Sequence, residues 1–218
     1  MAAIQMGRHP VISKRARGVL ICKPGKDDIA KLKAFRSISP HSRLGTVVDI
    51  VAAELLPDDA ERYGLLSDGQ FGSRKGQSAI DAVAIIVNRA HGAWTYGYIS
   101  GVLLMDIQAA YLSVATGRVV HLIKVRQMDG DHIRWTERFA WERSEELIIK
   151  GNAMERHPVE AGVLQGSPVS PVLFGIYTPP LMQWVEEYVS DAKMLSFVHN
   201  RRCLATTSDV NHVVSIRE

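Results

Sequence analysis

Residues 195–205 read LSFVHNRRCLA, two short apolar runs on either side of a polar stretch. The first run ends at Val198 and the second begins at Cys203, so His199 and Asn200 fall at the turn. Strand-length apolar segments that flank a short polar segment are typical of a β-hairpin. We therefore predict a hairpin whose tip carries an imidazole and an amide.

An apolar strand is predicted well before this hairpin. Residues 99–105, ISGVLLM, form a nearly continuous apolar run that ends at Asp106. Such runs are typical of central strands, and the carboxyl end of a strand is where side chains enter a cleft. A single carboxylate also serves as a helix cap or as a surface group, so the run alone leaves the role of Asp106 open.

Two amphipathic helices are predicted before that strand. Apolar residues, among them Val47, recur at three- and four-residue steps from Leu44 to Leu55, and Pro57 is expected to end or bend this helix. A second helix should begin at a capping pair formed by the side chains of residues 78 and 81. Its buried face is predicted to consist of Ile80, Val83, Val87, Ala90 and Trp94.

The rest of the chain mixes helices and strands without regular βαβ alternation, which favours the α+β class. Further predicted elements are helices at 118–128, 131–143 and 168–189 and strands at 145–149 and 158–163. Two prolines, Pro179 and Pro180, fall inside the last helical segment and should kink or break it, because each removes a backbone hydrogen bond.

Composition sets the class of protein. With 218 residues, of which 46% are hydrophobic, the chain can bury a sizeable core. No segment approaches the roughly 20 apolar residues that a membrane helix needs, so we expect no membrane partner and an intracellular location, nuclear or cytoplasmic. Cys22 and Cys203 are too few for a zinc site and indicate two reduced thiols.

Positive charge concentrates at the start of the chain. Residues 1–36 hold nine Lys or Arg residues against two Asp residues, whereas the whole chain has a formal net charge of only +3. A basic end can face a polyanion, and a solvated basic tail is the alternative, which composition leaves open. We assign residues 1–14 to a basic N-terminal tail.

Five motifs precede the hairpin, none of them decisive alone. They read KPGK from Lys23, FRSIS from Phe35, QFGSRKGQS from Gln70, MDIQAAY from Met105 and GVLQGSPVSP from Gly162. In this order, over about residues 15–216, they resemble the reverse transcriptase domain (RNA-directed DNA polymerase) of non-LTR retrotransposons, especially fungal elements. The resemblance implies an α+β fold with the fingers and palm of a right-handed polymerase, in which helices back an antiparallel palm sheet.

The resemblance also implies boundaries and partners. Residues 15–98 would form the fingers with part of the palm, and residues 99–218 the palm, truncated before the thumb. An RNA template, a DNA primer and dNTPs would be the ancestral partners, and Mg²⁺ the ancestral cofactor. Without a thumb we expect a weak grip on the template-primer duplex.

Site roles follow from the same resemblance. Lys23 and Arg36 would lie against the incoming triphosphate, since the planar fork of arginine suits phosphate oxygens. Cations of the glycine-rich loop would touch the template backbone. The template-binding residues implied are Arg74 and Lys75.

In the palm, the resemblance makes Asp106 the first metal ligand, together with the carbonyl of Ile107. Tyr111 would sit under the incoming sugar and exclude a ribose 2′-hydroxyl. Gln165 and Gly166 would pack against the nascent base pair. Ser167, which follows them, is interpreted as a helix cap rather than a nucleophile, because no His and carboxylate accompany it at a recognisable spacing.

The hairpin departs from the family pattern, because His199 and Asn200 stand where the family carries two aspartates. Phosphoryl transfer on two Mg²⁺ ions needs anionic ligands, and Asp106 alone supplies one negative charge. We therefore expect impaired catalysis, with Asp106 within about 8 Å of the hairpin tip, since both would flank the ancestral metal pair. Two further residues depart from the family pattern. Pro40 stands where an apolar pair is more usual, and Leu164 stands where a proline is expected.

Three alternatives remain at this point. The chain could be a non-catalytic module that binds RNA through the basic face of the fingers. It could be an active polymerase whose altered site uses Mn²⁺, which accepts nitrogen ligands more readily than Mg²⁺ does. It could also be an unrelated α+β protein, in which case Asp106 would not lie beside the hairpin tip.

Overall fold

Helices and strands are mixed along the chain. The computed structural model describes residues 2–25, 34–40, 42–149, 151–189, 192–198 and 200–207. The helices are α1 (Ala2–Gln5), α2 (Arg43–Arg62), α3 (Ala79–Thr95), α4 (Thr116–Val125), α5 (Gly130–Ala140), α6 (Ser170–Tyr177) and α7 (Pro179–Tyr188), with a 3-10 turn at Val11–Lys14. The strands are β1 (Arg15–Cys22), β2 (Phe35–Ile38), β3 (Ile99–Asp106), β4 (Arg143–Ile149), β5 (Asn152–Val159), β6 (Ala192–Phe197) and β7 (Asn200–Thr207).

The described strands form two sheets. The first has the order β2-β1-β4-β5, in which β1 pairs with β4 in parallel and the other pairs are antiparallel. The second is antiparallel throughout, with the order β3-β7-β6. The α+β class is confirmed. Because β1 pairs with β4, the first sheet combines strands from both sides of the predicted boundary between residues 98 and 99.

The larger of two apolar clusters packs helices α2, α4, α5 and α6 together. Its largest side chains, Trp135, Phe139 and Phe174, are at most 2% exposed. Burying an apolar side chain of this kind stabilises the fold by about 1.5–3 kcal/mol. A second, smaller cluster joins α3 to the three-stranded sheet through Phe71, Ala82 and Leu195. Apolar burial therefore joins these helices to one another and α3 to the three-stranded sheet.

The predicted break in the last helical segment is confirmed. Helix α6 ends at Tyr177 and α7 begins at Pro179. A proline in the first turn loses nothing, because the amide that it lacks would have had no intrahelical acceptor there. The two prolines therefore start a new helix rather than distort an old one.

The expectations for α2 and α3 were partly wrong. Helix α2 continues through the buried Pro57 to Arg62, while Val47, assigned to its buried stripe, is 58% exposed. In α3 the predicted buried face is turned outward, with Ile80 79% and Trp94 60% exposed. Helix α3 is apolar on several sides, so its periodicity does not decide which side meets the sheet. The capping box at its start is confirmed.

Two strand predictions also need correction. The apolar strand β3 lies at an edge of its sheet among the described strands, not at the centre, and Leu104 on it is 71% exposed. The strand predicted at 158–163 is instead β5, at Asn152–Val159, because the polar segment taken for a loop pairs with β4 as the second arm of a hairpin. Pairing of an exposed hairpin depends on backbone bonds, which leave no apolar signature.

Residues 2–14 form part of the folded structure instead of a solvated tail. Ile4 and His9 are 3% and 8% exposed, and the His9 ring lies 5.6 Å from the Trp135 ring centroid and 5.4 Å from that of Phe139. The segment is thus held against the core by the buried side chains of Ile4 and His9. In the described ranges, no helix has the length and apolar character to cross a membrane.

Candidate active site

Strand pairing brings Asp106 and the hairpin together. In the register of β3 with β7, the Cα of Asp106 is paired with that of Asn200. Paired Cα atoms in an antiparallel sheet lie about 4.5–5.5 Å apart, which places both residues at one end of the sheet. His199 lies outside the described residues. The expected proximity of Asp106 to the hairpin tip is thus supported at Asn200.

The glycine-rich loop, residues 68–76, packs against this hairpin. The amide of Phe71 donates to the carbonyl of Ser196 at 2.8 Å, and the amide of Ser196 donates to the carbonyl of Gly69 at 2.8 Å. A Cβ built on Gly72 would lie 2.3 Å from the backbone nitrogen of Val198. Because glycine lacks that atom, the loop can approach the hairpin tip closely.

Two cations of that loop are engaged with α2. The Arg74 Nε donates to Glu61 at 2.6 Å, and its Nη1 donates to the carbonyl of Ser67 at 2.9 Å. The Lys75 Nζ donates to Asp58 at 2.7 Å. The Lys75 pair is exposed, and such pairs contribute only about 0–1 kcal/mol, so a phosphate could replace the Asp58 carboxylate, whereas the Arg74 side chain is only 16% exposed. The template-binding role of both residues remains a prediction.

Lys23 and Arg36 lie on one antiparallel pair of strands. The amide of Lys23, directly after β1, donates to the carbonyl of Ala34 at 2.8 Å. Arg36 lies on β2, where its Cα is paired with that of Ile21, and its side chain is exposed. The two cations therefore occupy the same hairpin, while Lys26 of the first motif lies outside the described residues.

The Gln165–Gly166 turn abuts the end of β2. The Ser39 amide donates to the carbonyl of Gln165 at 2.9 Å. Gly166 has φ +129, a backbone conformation that other residues rarely adopt, and a Cβ there would meet the Ile38 side chain at 3.6 Å. The turn is thus placed a few residues from Arg36, as a shared nucleotide site would require.

A buried polar network, which the sequence analysis missed, supports this turn. Asp49 of α2 is fully buried; its Oδ2 accepts a hydrogen bond from the Ser167 hydroxyl and its Oδ1 lies 3.3 Å from His9 Nε2. The Ser167 Oγ also accepts from the Val169 amide at 3.3 Å. Ser167 therefore stabilises the turn before α6, whereas its interpretation as the helix cap is wrong, because the N-cap is Val169 and no side chain caps α6. The available signal was Asp49, a carboxylate between the apolar residues Val48 and Ile50 of α2.

Tyr111 lies at the edge of the main core. Its ring meets that of Phe174 edge-on, with centroids 5.8 Å apart, and its carbonyl accepts a hydrogen bond from the Val163 amide at 2.7 Å. Partial burial raises the pKa of the phenol, so the ring remains neutral near pH 7. Contact with an incoming sugar remains a prediction.

A buried cation under the hairpin was also missed. Arg201, next to Asn200, is 2% exposed, with its guanidinium 5.6 Å from the Phe174 ring centroid. Its Nη1 donates to the Met182 sulfur at 3.3 Å, while Nε and Nη2 have no hydrogen-bond partner. Burial lowers the pKa of Arg201 to about 10, which keeps it charged at neutral pH. A fixed positive charge therefore lies behind the polar tip.

The described donors do not fit a pair of Mg²⁺ ions. Asp106 provides one exposed carboxylate, Ile107 a backbone carbonyl and Asn200 a neutral amide oxygen. No three His, Cys, Asp or Glu side chains come together as a possible metal site in the described part of the chain. Paired divalent ions require several carboxylate ligands, and this donor set supplies a single carboxylate.

Known proteins resemble the chain in sequence and in fold. It is 24% identical over 180 residues to the probable RNA-directed DNA polymerase from transposon BS of Drosophila melanogaster, and 26% identical over 179 residues to the RNA-directed DNA polymerase from mobile element jockey of Drosophila funebris. These matches cover 83% and 80% of this chain. The chain spans only 20% and 19% of those relatives' length.

Solved structures support the same polymerase fold. Telomerase from Candida albicans, in complex with a fragment of telomeric RNA, superimposes with a TM-score of 0.66 at 12% identity, covering 95% of this chain and 39% of that one. Apo telomerase from Candida tropicalis, truncated from its C-terminal domain, gives a TM-score of 0.62 at 10% identity, covering 95% of this chain and 46% of that one. The family model for reverse transcriptase (RNA-dependent DNA polymerase) matches residues 21–206, so the chain belongs to the reverse transcriptase family.

Proposed function

We propose that this chain provides the fingers and palm of a non-LTR retrotransposon reverse transcriptase, of fungal type, and that this copy has lost catalysis. The ancestral reaction is RNA-templated addition of deoxynucleotides to a primer 3′-end. The observation that carries the proposal is the pairing of Asp106 with Asn200, an amide where the family pattern has a carboxylate.

Charge at the hairpin explains the expected loss. Two divalent ions bring four positive charges, against which the described tip sets the single carboxylate of Asp106. The buried guanidinium of Arg201 adds a positive charge on the neighbouring position of β7. If about 4 kcal/mol of transition-state stabilisation disappears, the rate falls by about a thousandfold. The remaining nucleotide-site residues would then bind without turnover.

Primer extension on an RNA template tests this proposal. The unaltered chain, Asp106→Ala and the double variant His199→Asp, Asn200→Asp are compared with Mg²⁺ and separately with Mn²⁺. We expect extension by the unaltered chain to equal that of Asp106→Ala with either metal. Template-dependent extension that Asp106→Ala abolishes would overturn the proposal and support an active enzyme with an altered metal site.

A second candidate function is RNA binding without chemistry. It is favoured by Arg36, whose side chain is exposed on β2 and forms no ion pair with any described residue. Binding through phosphates should weaken as salt rises, because each contact releases counterions. A filter-binding titration with Arg36→Gln at increasing salt checks this, and unchanged affinity in that variant would exclude the fingers as the binding face.

A further inference from the structure

A groove opens between the C-terminal end of α3 and the three-stranded sheet. It has a volume of about 180 Å³ and is lined by Arg89, Tyr96, Tyr98 and Thr206, among others. Thr206, which lines the groove, is paired with Ser100 of β3, and the six residue steps from Ser100 to Asp106 correspond to about 20 Å at the rise of an extended strand. The groove is therefore separate from the candidate active site.

Two tyrosines flank the turn that ends α3. Gly97, between them, has φ +75, the left-handed conformation typical of a helix C-terminus. Tyr96 is 80% exposed and Tyr98 is 49% exposed, so both side chains are accessible from solvent. Exposed aromatic rings next to a cation are the surface on which single-stranded nucleic acids stack their bases.

The polar groups of the groove complement those rings. Arg89 is exposed and forms no ion pair with a described residue, which leaves its planar fork available to a phosphate. The Ser100 hydroxyl is buried without a hydrogen-bond partner, and its Cα is paired with that of Thr206 at the groove.

The size of the groove favours one planar group. Sites for drug-sized ligands have volumes of about 300 Å³ or more, so 180 Å³ suits a single ring system better than a whole dinucleotide. Between the groove and Asp106 the outer face of β3 stays open, with Val102 44% and Leu104 71% exposed. An extended single strand of nucleic acid could therefore continue along the sheet from a base held in the groove.

We infer that this groove binds one base of single-stranded RNA, with the base stacked on Tyr96 or Tyr98 and the adjoining phosphate held by Arg89. Stacking on a ring face is independent of base identity, so the site should accept any sequence. The inference rests on membership of the reverse transcriptase family and on the groove, and it does not depend on the loss of catalysis.

Fluorescence anisotropy of a labelled oligouridine, about 12 nucleotides long, tests the site. Tyr96→Ala and Tyr98→Ala should each weaken binding about fivefold or more, whereas Tyr96→Phe should bind like the unaltered chain because it keeps the ring. Arg89→Gln should weaken binding and lower the slope of log K against log salt by about 0.7, the value for one phosphate contact on a single strand. The tyrosine variants should keep the original slope.

Two variants elsewhere serve as matched controls. Trp141→Ala removes a half-exposed aromatic ring, and Arg118→Gln removes an exposed arginine on α4. Both should bind RNA like the unaltered chain. Circular dichroism checks that every variant is folded, as expected for changes at exposed side chains.

The outcomes separate this inference from the proposed function. Equal RNA affinity in all variants, equal loss in the controls, or no RNA binding by the unaltered chain at low salt would overturn the groove site. If the tyrosine variants bound RNA like the unaltered chain but altered the oligomer mass measured by light scattering, the surface would be a protein contact. The inference would then be wrong. Primer extension by the unaltered chain would overturn the loss of catalysis alone.

Discussion

Replacing the buried Arg201 with methionine should stabilise the protein. Methionine fills much of the same volume beside Phe174 without charge, whereas the guanidinium is 2% exposed and leaves Nε and Nη2 without acceptors. Burial lowers the pKa of Arg201 from its usual value to about 10. At about 1.36 kcal/mol per unit, the charged form is disfavoured by roughly 3 kcal/mol in the folded state.

This penalty is fully present at neutral pH, because the folded and unfolded pKa values both lie above 7. Its removal is partly offset by the lost cation–π and sulfur contacts, which contribute about 1–2 kcal/mol. We expect a net gain of about 1–2 kcal/mol for Arg201→Met, or an increase in Tm of several degrees. Raising the pH above about 10 should shrink the gain, because the folded unaltered chain then loses the proton of Arg201 before the unfolded chain does.

Urea denaturation at pH 7, followed by circular dichroism, measures the free energy of unfolding. Arg202→Met is the matched control, because it removes a cation from the adjacent, partly exposed position of β7. That variant should change stability by less than about 0.5 kcal/mol. A loss of stability in Arg201→Met, or equal gains in both variants, would refute the idea that the buried charge is uncompensated.

Three further predictions concern packing and reactivity. Asp49→Ala should destabilise the fold by about 2–4 kcal/mol in urea titration, because it leaves two buried donors without an acceptor; a change below 1 kcal/mol would contradict the network. Gly72→Ala should lower Tm, because its Cβ would overlap the hairpin backbone. Gly92→Ala has open space around the new Cβ in α3 and should stabilise the protein by about 0.5–1 kcal/mol. A higher Tm for Gly72→Ala than for Gly92→Ala would contradict these contacts. Ellman's reagent should modify the exposed Cys22 at once and the buried Cys203 only upon unfolding. Burial also raises the pKa of the Cys203 thiol, which lowers its reactivity further. Rapid reaction of both thiols would show that the hairpin is open.

Loss of catalysis would leave the rest of the site in place. The Gln165–Gly166 turn remains bonded to Ser39 at the end of β2, and the Asp49 network holds the turn from the other side. At the hairpin tip Asn200 places an amide beside Asp106, in a strand pair whose register is continuous from Ile99 to Asp106. The proposed loss of chemistry would therefore leave the residues proposed to bind nucleotide in place.

The sequence by itself determined the local features. Apolar runs around a polar stretch predicted the β6–β7 hairpin, the run before Asp106 predicted β3, and Pro179 predicted the break between α6 and α7. Each of these depends on residues close together in the chain, whose backbone preferences act wherever the segment lies. The order of motifs then indicated the family.

Only the tertiary structure decided which faces are buried and which side chains meet. The outward face of α3, the edge position of β3 and the burial of Arg201 depend on the partner that each element packs against. The network of Asp49 with Ser167 spans more than a hundred positions in the chain, so no local pattern encodes it. Burial is a property of two surfaces in contact, and a sequence read locally supplies only one of them.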